Sequence, residues 1–128
     1  MKLGYTIVYV ADVGQTVAFY TAAFGLNCRF QTPEGDYAEM ETGGATLSFA
    51  RDDLAQSHGF SYAPNRSDLP SAGIEICLIC DDVQAAFDRA IAAGGLVAAS
   101  PKTKPWGQTV AYVRDVNGVL VEFATPMG

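Results

Sequence analysis

An internal repeat constrains this sequence more than any other feature. A shift of 70 residues places Ala11-Asp12-Val13 on Asp81-Asp82-Val83. Near the C-terminus the offset becomes 74, because a loop of the second copy is four residues longer, and Phe49-Ala50 then meets Phe123-Ala124. The identities are few, but they fall where secondary-structure elements begin and end. We therefore expect two copies of one structural unit, with a functional pocket between the copies.

Each copy is predicted to be a β-α-β-β-β unit, beginning with the first. An apolar, β-branched run at residues 5–10 indicates a strand. Asp12 is a candidate helix N-cap, apolar residues follow it at helical spacing, and Gly25 is placed to end the helix. Three further strands are predicted at residues 27–31, 37–41 and 46–51.

The second copy repeats this order. Residues 75–80 form the predicted first strand, Asp81 or Asp82 is the helix cap, and Gly94-Gly95 ends the helix. Asn117-Gly118, between two apolar runs, predicts a hairpin turn. The remaining strands are predicted at residues 96–100, 108–114 and 119–124.

These elements define one predicted α+β domain over residues 1–128. Its first module spans residues 1–51 and its second spans residues 73–128. The linker at residues 52–72 is polar and irregular, and connections of this length are usually functional or flexible.

Composition excludes several classes of partner. The net charge is −6, and the eight Lys and Arg residues are scattered singly, so a phosphate backbone would be repelled and nucleic acid is not expected. No run approaches the roughly 20 apolar residues that span a bilayer. The first residues enter a strand pattern without a signal-peptide core. Three cysteines, an odd number, fit packing residues in a reducing compartment, and we therefore expect a cytoplasmic protein without membrane contact.

Two segments carry a resemblance to a known family. They are residues 10–26, with Val10-Ala11-Asp12-Val13, Phe19-Tyr20 and Phe24-Gly25-Leu26, and residues 106–122, with Trp106-Gly107-Gln108 and the run from Tyr112 to Glu122. Together they resemble the vicinal oxygen chelate superfamily of glyoxalase I, bleomycin-resistance proteins, extradiol dioxygenases and fosfomycin-resistance enzymes. The resemblance covers essentially the whole chain and marks the superfamily better than any one activity.

The resemblance implies a fold, a metal and a partner. Its members form a half-open, curved mixed-sheet barrel from two such modules, with flanking helices, and its enzymes bind a divalent metal inside the barrel. A homodimer is also implied, with the modules paired either within one chain or between two chains.

The family's four metal positions fall here on Tyr5, Ser48, Glu75 and Glu122. The repeat pairs the same residues independently, Tyr5 with Glu75 and Ser48 with Glu122. Two of the four are neutral hydroxyls, and the imidazoles that transition metals favour are missing, so no cofactor is expected. Glu75 and Glu122 alone suit at most a weak Mg²⁺, Mn²⁺ or Ca²⁺ site.

Further candidate ligand-binding residues are aromatic. They are Trp106, in the loop before the last two strands, and Phe60, Tyr62 and His58, in the linker. Aromatic rings stack on planar groups, and two facing carboxylates attract a cation or share a proton.

Two functions remain open at this stage. The first is binding of a small molecule, cationic or aromatic, in an acidic aromatic cleft without a transition metal, as the resemblance to bleomycin-resistance proteins implies. The second is a lyase or isomerase of a small carbonyl compound, with Glu122 as general base and a weakly bound divalent metal or Tyr5 polarising the carbonyl oxygen.

Overall fold

The computed structural model describes residues 1–127, and it contains two tandem modules of mixed sheet and helix. The first module comprises β1 (Tyr5–Val10), α1 (Val13–Phe24), β2 (Asn27–Gln31), β3 (Tyr37–Glu41) and β4 (Thr46–Arg51). A short helix, α2 (Asp52–Gln56), begins the linker. The second module comprises β5 (Glu75–Ile79), α3 (Val83–Ala92), β6 (Leu96–Thr103), β7 (Thr109–Arg114) and β8 (Leu120–Ala124).

The two sheets share one topology. Their strand orders are β1-β4-β3-β2 and β5-β8-β7-β6, with the first pair of each sheet parallel and the other pairs antiparallel. β1 and β5 therefore each form an edge of their sheet, as do β2 and β6. The sheets do not close into a barrel, which agrees with the half-open α+β architecture predicted from the sequence.

Capping residues fix the helices where the sequence predicts them. The Asp12 carboxylate accepts the backbone N–H of Gln15 at 2.9 Å, and the Asp82 carboxylate accepts that of Ala85 at 3.0 Å. Gly25 ends α1 with a φ of 68°, a left-handed conformation that glycine adopts without steric cost.

The helices join the two modules. α1 and α3 pack against each other, and Phe24 of α1 meets Phe123 of β8 with ring centroids 5.6 Å apart. Arg89 of α3 donates to the carbonyl of Ala22 at 2.8 Å, near the end of α1. Because each helix also covers one face of its own sheet, a single apolar core runs through both modules.

Three local features differ from the sequence predictions. The linker is not wholly irregular, since α2 occupies its first five residues. β6 continues to Thr103 through Pro101, which an edge strand tolerates because one side of its backbone has no partner strand. At the β7–β8 turn only Gly118 has a positive φ, 81°, so Asn117 does not adopt the two-residue mirror-image turn that Asn-Gly favours.

No helix within residues 1–127 is long and apolar enough to cross a membrane.

Candidate functional site

Each sheet has one face against the helices and one outer face. Strand register puts Ile7, Ser48 and Glu39 in one row across the first outer face. The matching row of the second outer face is Cys77, Glu122 and Tyr112. Because side chains alternate along a strand, Tyr5 shares the face of Ile7, and Glu75 shares the face of Cys77.

The polar groups of the first outer face bond to one another. Ser48 is fully buried, and its hydroxyl lies 3.0 Å from that of Tyr37. The Tyr37 hydroxyl also donates to Glu39 at 2.8 Å, and desolvation raises the pKa of Tyr37. Arg29 forms ion pairs with Glu39 and Glu41 at 3.4 Å and 2.9 Å. Ser48 is therefore covered by neighbours from its own sheet.

The second outer face gathers groups that bind protons. Glu75 and Glu122 lie on this face as diagonal neighbours on the paired strands β5 and β8. Partial burial raises the pKa of Glu75, and the neighbouring Glu122 raises it further. Burial, followed by the charge of Glu122, raises the pKa of Cys77 to about 11, so this thiol stays protonated at neutral pH and is a poor nucleophile.

The donor set does not fit the transition metal that the fold family implies. Ser48 already bonds to Tyr37, and within residues 1–127 no hydrogen bond joins Tyr5 or Ser48 to Glu75 or Glu122. No group of three or more His, Cys, Asp and Glu side chains in the described chain is arranged to hold a metal ion. Glu75 and Glu122 remain as one pair of oxygen donors, and carboxylates without imidazole suit hard cations only.

A crevice opens between the two modules, where the edge strands β1 and β5 approach each other. Its volume is about 230 Å³. Apolar side chains of β1, β5 and the linker line it, and the Glu75 side chain forms part of its wall. The lining includes Ile7, Val8, Tyr9, Tyr62, Ile74, Ile76 and Val119.

The linker forms one wall of this crevice and is fixed to the first module. Within the linker, the Tyr62 hydroxyl donates to the carboxylate of Asp52 in α2, and Arg66 pairs with the same carboxylate at 2.8 Å. Desolvation and the Asp52 hydrogen bond raise the pKa of Tyr62 to about 12. The Asn65 side chain donates to the backbone carbonyl of Tyr9 at 2.9 Å. The Tyr62 ring is therefore held neutral and in place.

Arg114 fixes the linker to the second module. Its guanidinium donates to the backbone carbonyls of Arg66, Ser67 and Leu69, and to the Ser71 hydroxyl at 2.9 Å. Five donors in a planar fork suit one arginine to several carbonyls at once. The linker is thereby bound at both ends and can shape a pocket.

The aromatic candidates lie at different distances from this crevice. Tyr62 lines it, and the Tyr62 and Tyr9 rings are 4.9 Å apart. Phe60 stacks on Tyr9 at 6.1 Å, and His58 stacks on Phe60 at 5.9 Å, so these two extend the aromatic surface outward. Trp106, on the β6–β7 loop, is 64% exposed. Tyr5 lies on the first outer face and is 56% exposed.

Sequence reasoning did not identify Tyr9, Asn65 or Arg114. Tyr9 lies four residues from Tyr5 on the same face of a strand. The alternation of side chains along the strand could therefore have identified it as a candidate. Asn65 and Arg114 contact backbone atoms of segments that are 56 and 47 residues away in the chain. A local sequence pattern does not predict such contacts.

Comparison with known proteins places this geometry in a family. Residues 2–123 match the family model described as Glyoxalase/Bleomycin resistance protein/Dioxygenase superfamily. None of the curated proteins matches the chain.

Solved structures share the fold at low identity. A glyoxalase-related enzyme from Fulvimarina pelagi is 19% identical with a TM-score of 0.84, covering 98% of this chain and 88% of that one. A glyoxalase/bleomycin resistance protein/dioxygenase family enzyme from Burkholderia phytofirmans PsJN is 20% identical with a TM-score of 0.80, covering 98% of each chain. A lactoylglutathione lyase from Agrobacterium tumefaciens is 25% identical with a TM-score of 0.70, covering 97% of this chain and 92% of that one.

Proposed function

The chain belongs to the glyoxalase/bleomycin resistance protein/dioxygenase superfamily, and we propose that it binds a small planar cation in the crevice between its modules, without a transition metal. The observation that carries the proposal is the crevice itself, because it combines apolar walls with one carboxyl group, that of Glu75. A planar ring is desolvated against Ile7, Tyr9 and Tyr62, while an amine or ring nitrogen bonds to Glu75.

Charge supports a cation over an anion. Glu75 and Glu122 are diagonal neighbours on one face of the second sheet, and the chain carries a net charge of −6. A bound cation stabilises both carboxylates in their ionised form, whereas an anion adds to their repulsion. The rings of Tyr9, Phe60 and Tyr62 add cation–π attraction at the outer end of the crevice.

We propose in addition that the protein is a cytoplasmic homodimer. Several large apolar side chains of the outer faces are exposed in one chain, with Tyr5 at 56%, Ile7 at 47% and Ile79 at 60%. The edges of β1 and β5 have no partner strand within residues 1–127. Apolar faces beside free strand edges favour a second protein surface over solvent. The three cysteines, all free, fit a reducing compartment.

A second candidate function is proton transfer on a small carbonyl compound. It is favoured by the row of Cys77, Glu122 and Tyr112, in which Glu122 lies between two groups whose pKa values are raised by burial and by its own charge. Glu122 is then the acceptor of the substrate proton. The lactoylglutathione lyase among the similar structures gives a reaction class to assay, namely turnover of a thiol–aldehyde adduct.

Binding and catalysis are separated by one set of titrations. Calorimetry with proflavine, a planar cation, is compared with anthracene-2-carboxylate, a planar anion of similar size. We expect binding of proflavine only, and a roughly 10- to 100-fold weaker affinity for Glu75→Gln, because a hydrogen bond to a charged group contributes about 1.5–3 kcal/mol. Glu34→Gln, an exposed carboxylate outside the crevice, is the matched control and keeps the wild-type affinity.

Other results would contradict the cation site or establish catalysis instead. Equal affinity for the two probes, or a Glu75→Gln variant that binds proflavine like the wild type, excludes the acidic crevice as a cation site. Turnover of the hemithioacetal of glutathione and methylglyoxal, abolished by Glu122→Gln, establishes the lyase instead.

A further inference from the structure

A second cavity lies between the two modules, and it is separate from the crevice. Its volume is about 420 Å³, and none of its lining residues also lines the crevice. One wall is residues 77–80, at the end of β5, and the other walls come from the end of α1, the β3–β4 turn and α3. We call this cavity the β5 trough.

The dimensions of the β5 trough suit a linear molecule. The four consecutive residues 77–80 line it, and extended backbone of that length spans about 10 Å between its first and last Cα atoms. A volume of about 420 Å³ along that length corresponds to a mean width of roughly 6–7 Å. This width admits an alkyl chain and is narrow for a flat molecule of three fused rings.

Most of the lining of the trough is apolar. Phe24 and Leu26 come from the end of α1, Leu78 and Ile79 from β5, and Phe123 from β8. An alkyl chain that lies against these side chains is removed from water, which is favourable in proportion to the apolar area covered. The walls therefore favour a hydrocarbon chain as the body of a ligand.

Arg89 of α3 is the one charged residue that lines the trough within residues 1–127. Its Nε donates to the Ala22 carbonyl at 2.8 Å and its Nη2 to the Thr21 carbonyl at 3.4 Å, at the end of α1. Its Nη1 forms no hydrogen bond in the described chain and lies over Gly25, where a Cβ atom would be only 3.0 Å away. The guanidinium is thus held in place and still has N–H groups to donate.

The charges around the trough favour an anion beside Arg89. Among the residues that the structure describes, no acidic side chain lines the trough. Asp88, the neighbour of Arg89 in α3, lies outside the lining and accepts a hydrogen bond from Gln84. The carbonyls at the end of α1 carry about half a negative charge, so they neutralise the guanidinium only in part.

We propose that the β5 trough binds a linear apolar carboxylate, with its hydrocarbon chain between β5 and the end of α1 and its carboxylate on the Nη1 group of Arg89. Binding combines the removal of the chain from water with a charge-assisted hydrogen bond from the guanidinium. The proposal does not depend on the crevice, because the two sites share no lining residue.

NMR of isoleucine methyl groups during titration with octanoate tests this site. Ile79 lines the trough, whereas Ile7, Ile74 and Ile76 line the crevice. We expect a saturable shift of the Ile79 signal and unchanged signals from the three crevice residues. Octylammonium, which has the same chain length and the opposite charge, leaves the Ile79 signal unchanged at the concentration at which octanoate saturates it.

Arg89→Met tests the carboxylate contact. Methionine keeps much of the apolar stem but has no charged donor, so the affinity for octanoate falls roughly 10- to 100-fold. Arg51→Met, which removes an exposed guanidinium outside the trough, is the matched control and keeps the wild-type affinity.

Gly44→Phe tests the trough while leaving Arg89 and its contacts with α1 intact. Gly44 lines the trough in the β3–β4 turn, its φ is not positive, and a Cβ atom there meets no other atom within 4 Å. The added ring occupies space in the trough, and we expect octanoate to bind at least about tenfold more weakly. Gly73→Phe, at a glycine with equally open surroundings outside the trough, keeps the wild-type affinity.

The outcomes separate this proposal from the cation crevice. An unchanged Ile79 signal at millimolar octanoate, an equal response to octylammonium, or wild-type affinity in either the Arg89→Met or the Gly44→Phe variant overturns the trough and leaves the crevice standing. Octanoate shifts confined to Ile7, Ile74 and Ile76 overturn the trough and also contradict the preference of the crevice for cations.

Discussion

At the turn between β7 and β8, the buried carboxylate of Asp115 accepts three hydrogen bonds. Two come from the backbone N–H groups of Asn117 and Val119, at 2.8 Å and 2.9 Å, and the third comes from the Tyr20 hydroxyl of α1 at 2.6 Å. Burial raises the pKa of Asp115, and these hydrogen bonds oppose the rise. A turn of the second module is therefore tied to the helix of the first by one residue.

The Tyr20→Phe variant measures how much this hydrogen bond stabilises the protein. It removes the hydroxyl donor and leaves the buried carboxylate one hydrogen bond short, so the free energy of unfolding falls by about 1.5–3 kcal/mol in urea denaturation. Tyr5→Phe is the control, because Tyr5 is exposed and its hydroxyl forms no hydrogen bond within residues 1–127; its effect stays within about 0.5 kcal/mol. Equal effects of the two substitutions would show that the hydrogen bond from Tyr20 to Asp115 does not stabilise the protein.

At the scale of the elements, the linker behaves as a bound segment. Within the linker, Asp52 binds Tyr62 and Arg66. Asn65 binds the Tyr9 carbonyl of the first module, and Arg114 of the second module binds three linker carbonyls. The crevice depends on this segment, since Tyr62 and Asn65 form part of its lining. Local stability of the linker is therefore a property of the candidate site.

Arg114→Met tests the role of the linker through proteolysis. Methionine keeps most of the apolar stem but donates no hydrogen bond, so the linker opens more often and trypsin cleaves after Arg66 about tenfold faster, as expected for a loss of about 1.4 kcal/mol in local stability. Arg29→Met, on the first outer face, is the matched control and leaves this cleavage rate unchanged. An Arg114→Met protein cleaved at the wild-type rate would mean that other contacts hold the linker.

The elements were predictable where local chemistry defines them. Asp12 and Asp82 both cap helices as the sequence indicates, and Gly25 ends α1. The short helix α2 was not predicted, because five residues are too few to show helical periodicity. The extension of β6 through Pro101 was not predicted for a different reason. Only the sheet order shows that β6 is an edge strand, where proline is tolerated.

At the scale of the molecule, the repeat predicted which residues of the two modules are equivalent, but not where they lie in the structure. It pairs Tyr5 with Glu75 and Ser48 with Glu122, and the structure puts each pair member on the matching outer face. The packing of α1 on α3 determines where those faces lie, and that depends on contacts between distant residues. The repeat led to the expectation of a pocket between the copies, and a crevice lies there beside Glu75. The repeat alone could not indicate that Tyr37 covers Ser48.

The central claim, that the crevice between β1, β5 and the linker binds a planar cation, is tested most directly by NMR of isoleucine methyl groups. The chain has five isoleucines, of which Ile7, Ile74 and Ile76 line the crevice while Ile79 and Ile91 lie outside it. On titration with proflavine, we predict saturable shifts of the three crevice methyl signals and unchanged signals from the other two. Shifts confined to Ile79 and Ile91, or no shift at millimolar proflavine, would contradict the claim.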